Sequence, residues 1–178
     1  MKTYIALLRG INVGGHKKVP MAELRDVLTK SGLTAVKTYI QSGNVIFQYQ
    51  DIGIEVLELK IQKIIIAYFG FEVSVLVRTK TDIETLFNDC PFSEEKKTNS
   101  YFIILREAPE TDLIAEISKL TTSAEEFIIT KNCIYIFYAL GAGKGKLGVN
   151  FFERKLKITA TARNYKTMVK LLSLSTEI

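Results

Sequence analysis

The sequence predicts an α+β protein made of two ferredoxin-like βαββαβ-type units packed together, with mainly antiparallel sheets. Three observations lead there. The patterns in residues 1–79 read strand, helix, strand, strand, helix, strand. Those in residues 80–178 repeat this order with the last strand shortened or lost and a helix in its place, so the second unit reads as incomplete. Hydrophobic residues make up 47% of the 178, too many for a disordered chain and enough to fill a core.

The elements follow in order. Residues 4–8 form an apolar run without alternation, the mark of a strand covered on both faces. Residues 20–30 form a helix. Pro20 suits a first turn, Met21, Leu24, Val27 and Leu28 fall at helical spacing, and Ser31-Gly32 closes the end. Strands at 35–40 and 45–49 flank Gln41-Ser42-Gly43-Asn44, which has hairpin chemistry. A helix over 55–69 ends at Gly70, and a strand follows over 71–77. In the second half a short helix at 82–88 stops near Cys90-Pro91. A strand at 101–105, a helix at 111–120 and strands at 127–130 and 134–138 come next. Helices at 146–155 and 161–173 complete the reading, with Thr111 and Thr161 as helix caps.

Charge is uneven. Residues 1–50 hold seven Lys/Arg against two Asp/Glu, residues 82–126 hold four against eleven, and residues 141–178 hold eight against two. Two basic ends flank an acidic middle and suit an anionic partner if they meet in space. The alternative is ordinary solvated charge. Cys90 and Cys133 lie far apart in sequence without a CxxC partner, which points to a reduced cytoplasmic protein. Met1 leads directly into the first strand, so no signal peptide is expected, and no apolar run reaches the roughly 20 residues of a membrane span. One histidine and two distant cysteines offer no metal-ligand spacing, and no cofactor is expected.

The candidate site is the stretch Arg9-Gly10-Ile11-Asn12-Val13-Gly14-Gly15, where a strand runs into a glycine-rich loop and then a helix. Backbone N–H groups in such a loop form an anion nest, and a helix adds its positive end. Arg9, Lys17 and Lys18 add charge. Neither the Walker phosphate-loop spacing nor G-x-G-x-x-G is present, and a tight structural turn is the competing explanation. In a βαββαβ unit the first strand ends where the second-to-third hairpin turns. Arg9, Gly10, Asn12, Gly14, Gly15 and Lys17 should therefore lie beside Ser42, Gly43 and Asn44. A weaker contributor is the second glycine loop, Gly141-Ala142-Gly143-Lys144-Gly145-Lys146. Arg163 and Asn164 are placed in the first turn of the last helix, where a cation opposes the dipole and so suggests another task for Arg163.

These motifs bring a family into view. Ala6-Leu7-Leu8-Arg9-Gly10-Ile11-Asn12-Val13-Gly14-Gly15, Met21-Ala22-Glu23-Leu24, Thr38-Tyr39-Ile40-Gln41-Ser42-Gly43-Asn44-Val45, Phe69-Gly70-Phe71 and Thr161-Ala162-Arg163-Asn164 resemble the bacterial proteins catalogued as domain of unknown function 1697. Tyr165 stands where those relatives usually carry tryptophan. The resemblance implies an α+β fold of ferredoxin-like units and supplies no function.

Three functions compete. The first is binding of a phosphate-bearing ligand, a nucleotide or nucleic acid, at the glycine-rich basic loops. The second is an enzyme acting on a phosphorylated or acidic small molecule, with His16 as the sole histidine to serve as base. The third is a protein-interaction module, with homodimer formation through a sheet edge compatible with the pattern. An RNA-recognition version of the first requires an open sheet face with stacked aromatics. Asn44 and Ile46 stand where those aromatics belong.

Overall fold

The computed structural model describes residues 1–120 and 124–178. They form two units, Met1–Glu84 with Lys170–Ile178, and Thr85–Val169. The last residues of the chain thus cluster with the first unit.

In the first unit, strands β1 (Lys2–Arg9), β2 (Thr34–Tyr39), β3 (Asn44–Tyr49) and β4 (Ser74–Thr79) alternate with helices α1 (Met21–Lys30) and α2 (Ile54–Phe69), and α3 (Lys80–Asn88) follows β4. The strands form one antiparallel sheet in the order β2-β3-β1-β4. The unalternating β1 lies inside it. Tyr4, Ala6 and Leu8 enter a core with Phe47, Val75, Leu24, Leu28, Leu57 and Ile61. Ile5 and Leu7 on the opposite face are buried too, as are Ile46 and Leu76. Each of the buried valine, leucine, isoleucine and phenylalanine side chains contributes roughly 1.5–3 kcal/mol through removal from water. With both faces covered, the sheet offers no open aromatic surface for stacking bases. Gly70 caps α2 in the left-handed conformation, φ +79°, and its N–H donates to Ile66 O at 2.9 Å.

The second unit runs α4 (Glu94–Lys97), β5 (Ser100–Leu105), α5 (Thr111–Ile117), β6 (Glu125–Ile129), β7 (Cys133–Tyr138), a 3-10 turn (Ala142–Lys144), α6 (Val149–Leu156), β8 (Ala160–Asn164) and α7 (Tyr165–Thr176). Its sheet order, β6-β7-β5-β8, matches that of the first. Ile103, Leu105, Ile134, Ile136, Phe152 and Leu156 pack on one face.

The second unit is therefore not short of a strand. Residues 160–164, of which 161–164 are expected at the head of a helix, pair antiparallel with β5, Tyr101 against Asn164 and Leu105 against Ala160. Alanine and arginine favour helix locally, but strand pairing and burial of Ala160 and Thr161 override that preference. The cap of α7 is correspondingly Asn164, not Thr161. Its Oδ1 accepts the Thr167 N–H at 2.9 Å.

Candidate functional site

β1 gives way at Gly10 (φ +71°) to a small hairpin. The His16 N–H donates to Val13 O at 3.1 Å and the Asn12 N–H to Lys17 O at 3.1 Å. Gly14 and Gly15, at φ +59° and +79°, occupy its two central positions. Two positive φ values in a two-residue connection define a type I′ turn, which explains the paired glycines. The amides of Asn12 and His16 are thus used in the hairpin itself, and its tip is presented to solvent.

Asn12 ties this hairpin to its surroundings. Its own φ of +55° lies in the left-handed region that asparagine tolerates. Its Oδ1 accepts the N–H of buried Val19 at 2.8 Å. Its Nδ2 donates to Val19 O at 3.0 Å and Gln41 O at 2.9 Å. One side chain so joins the hairpin, the approach to α1 and the β2–β3 turn. The two turns placed together by topology do meet.

The second turn is fitted closely to β1. The Leu8 N–H donates to Gly43 O at 2.8 Å. A Cβ at residue 43, where φ is +81°, would stand 2.7 Å from Leu8 Cβ and 2.9 Å from Ile11 Cδ1, so the position requires glycine. Asn44 is fully buried, and its Nδ2 donates to Tyr39 O and Ser42 Oγ, both at 3.0 Å. Asn12, Gly43 and Asn44 thus act as the frame of this end of the unit.

Around the frame, Arg9 closes β1 opposite Ser74, and Lys17 donates from Nζ to Glu72 O at 2.7 Å. His16, Lys18, Gln41 and Ser42 are exposed. So are two apolar side chains, Val13 at 66% and Ile40 at 48% of full exposure. The end of the unit combines basic side chains, glycine backbone and solvent-facing aliphatic surface.

The second glycine loop is filled from within its own unit. The buried carboxylate of Glu125 accepts the N–H groups of Lys146 and Leu147 through Oε1, the latter at 2.9 Å. A backbone nest for an anion exists here, and Glu125 is its resident. Gly145 is pressed against the Tyr138 ring, where a Cβ would collide. The Tyr138 hydroxyl donates to Leu147 O at 2.7 Å, and burial raises its pKa to about 12. The side chains of Lys144 and Lys146 remain exposed. Glu125 escaped the sequence reading because Glu125-Glu126 ahead of an apolar strand resembles solvated charge.

Arg163 lies on β8, not in a helix. Its Nη1 donates to Thr161 Oγ1 at 3.0 Å and Ala162 O at 2.8 Å, and burial lowers its pKa to about 10. Arg78 at the matching place on β4 donates to Val77 O at 2.7 Å. Arg163 and Asn164 thus serve the strand edge and the cap of α7. Among the described residues no group of three or more His, Cys, Asp or Glu gathers to hold a metal ion, and no helix is long and apolar enough to cross a membrane.

The family model described as protein of unknown function (DUF1697) matches residues 1–135, which include the whole hairpin and β2–β3 turn. The chain belongs to this family. A solved structure of a conserved bacterial protein from Streptococcus pneumoniae is 27% identical, with a TM-score of 0.73 over 98% of each chain. A search of curated proteins found no significant match. Family membership and this likeness agree with the α+β architecture and carry no activity with them.

Proposed function

We propose that this protein binds a phosphate-bearing ligand, a nucleotide or nucleic acid, at the end of the first unit where residues 12–17 meet residues 40–44. The observation that carries the reading is the Asn12 clamp. It fixes two glycine turns against each other, so that the basic groups around them are held by the fold. Arg9, Lys17 and Lys18 supply positive charge for phosphate. Gly10, Gly14 and Gly15 keep the exposed surface free of side chains, buried Gly43 lets the second turn pack against β1, and Ser42 adds a hydroxyl. Val13 and Ile40 offer aliphatic surface for a base, which favours a nucleotide-bearing ligand over bare phosphate. The loop at residues 141–147 drops out as a ligand nest because Glu125 occupies its amides, leaving Lys144 and Lys146 as peripheral charge. Binding without chemistry is preferred, since Asn12 and Asn44 are engaged with backbone groups.

The test is titration of labelled single-stranded RNA, single-stranded DNA and free nucleotides at two salt concentrations. Affinity for an oligonucleotide should fall as salt rises, with a log–log slope of about −0.7 per phosphate contacted. Lys18→Ala and Arg9→Ala should each weaken binding and make that slope shallower. Absence of binding at low salt, or binding indifferent to both variants, overturns the reading.

A further inference from the structure

Among the described residues, three of the four sheet edges are closed by identifiable devices. On β4 the outward Val77 N–H donates to Glu58 Oε1 at 2.8 Å, the Thr79 N–H to Asp82 Oδ2 at 2.9 Å, and Val77 O accepts from Arg78. On β8 the Ala160 N–H donates to Glu153 Oε1 at 2.8 Å and Ala162 O accepts from Arg163. On β2 the register slips between Thr34 and Lys37, with Ala35 at φ +49°, and Lys37 is paired with Glu177 at 2.8 Å. A bulge, a charge or a bonded partner each blunts an edge against further pairing.

β6 differs. Its five residues pair with β7 without a register shift and include no proline. The Thr130 N–H donates to Cys133 O, and the Ala139 N–H to Ala124 O, both at 2.9 Å. Bonded positions alternate along an antiparallel pair, so residues 126 and 128 face β7. Phe127 and Ile129 turn their N–H and C=O groups away from the sheet, where no described residue bonds to them. A groove of about 570 Å³ runs beside them, lined by Leu120, Phe127, Ile128, Ile129 and Phe137. Leu120 and Ile128 are 44% and 38% exposed.

We propose that β6 is a docking edge for a second copy of this chain, pairing antiparallel with its own counterpart about Phe127. In that register the outward N–H and C=O groups of Phe127 meet their own counterparts and close a bonded pair. A two-fold axis at Phe127 sets Phe127 against the partner's Phe127, an aromatic cross-strand pair, and Ile128 against the partner's Glu126. Like charges do not face each other across it. Glu126 is already matched by Lys96 within its own unit, so no unpaired charge is carried into the contact. The groove accepts the incoming Ile128 and Leu120, and two four-stranded sheets become one continuous sheet.

The experiment is light scattering of the full chain across a concentration series up to the submillimolar range, with hydrogen exchange of residues 125–129 followed in parallel. A dimer is expected, and exchange at Phe127 and Ile129 should slow as it forms. Ile128→Asp brings a carboxylate against the partner's Glu126 twice per dimer and should raise the dissociation constant on the order of tenfold. Glu126→Lys combined with Ile128→Asp should restore the dimer, which a merely misfolded variant cannot do. A monomer at every concentration with constant exchange overturns the proposal. A dimer insensitive to Ile128→Asp also overturns it, because the contact then lies elsewhere. Protection of residues 125–129 that depends on a co-purified foreign protein overturns self-pairing as well.

Discussion

The side chain of Asn12 is where the motif of the first loop becomes structure. Its glycine neighbours permit the turn, but Asn12 fixes what the turn touches, through Val19 and Gln41. Substitution by glycine keeps the positive φ and removes the side-chain bonds. It should cost about 1–3 kcal/mol, the range for leaving a buried amide such as that of Val19 unpaired. Asn12→Ala should cost roughly 1 kcal/mol more, because a Cβ without compensating bonds then sits in the left-handed region. Urea denaturation of both variants measures this, and equal losses would separate the bonds from the backbone conformation. Tyr138 makes a second prediction, in pH. Its folded pKa of about 12 exceeds the ordinary 10.0 because of burial. Between those values the unfolded chain has released a proton that the folded chain retains. Stability should therefore decline as pH rises from 10 to 12, with no contribution from this group below pH 10. Tyr138→Phe should flatten that part of the pH–stability profile while losing the bond to Leu147 O, worth about 1 kcal/mol.

β8 is the edge strand that the sequence conceals, and the reason is physical. β1 and β7 are interior strands with near-continuous apolar runs, so their composition announces them. β8 is an edge of five residues, Ala-Thr-Ala-Arg-Asn, held by Glu153 and Arg163 as much as by its own pattern. Nothing in a periodicity count reports a carboxylate arriving from another element. The same blindness hid Glu58 and Glu125, buried acids that satisfy backbone amides while looking like surface charge. The juxtaposition of the two turns is legible where topology decides it. The meeting of the hairpin at residues 12–17 with the β2–β3 turn follows from element order alone, whereas the roles of Asn12 and Asn44 depend on atoms. Glu58 offers the test at this scale. Glu58→Ala leaves the Val77 N–H at the edge of β4 without its carboxylate partner and should destabilise by about 1–3 kcal/mol. Glu58→Gln retains an acceptor and should cost less. Thermal melts of the pair decide whether the edge bond or the mere volume of the side chain matters.

For the molecule as a whole, the same strand order occurs twice, yet the chain does not divide cleanly at its midpoint. Residues Lys170–Ile178 cluster with the first unit, although α7 begins in the second. Within that segment Leu171 is fully buried and Glu177 pairs with Lys37 of β2. The Glu177 carboxyl is held below its usual range by that lysine. The exposed ion pair contributes little to stability, since exposed pairs are largely screened. Leu171 contributes more, roughly 1.5–3 kcal/mol as a fully buried aliphatic side chain. The first unit is thus incomplete as residues 1–84. Ending the chain after Val169 should destabilise it by several kcal/mol on the same scale, through loss of Leu171 and the final turns of α7. Hydrogen exchange resolves the consequence by location. Amides of β1, β2 and β3 should exchange faster in the shortened chain, whereas those of β5 and β7, whose core of Ile103, Leu105, Ile134 and Ile136 lacks any residue after 169, should keep their protection. Lys37→Ala separates the two contributions. It removes the ion pair alone and should leave exchange in β1 unchanged. If Lys37→Ala reproduces the effect of truncation, the ion pair and not apolar burial anchors the end of the chain.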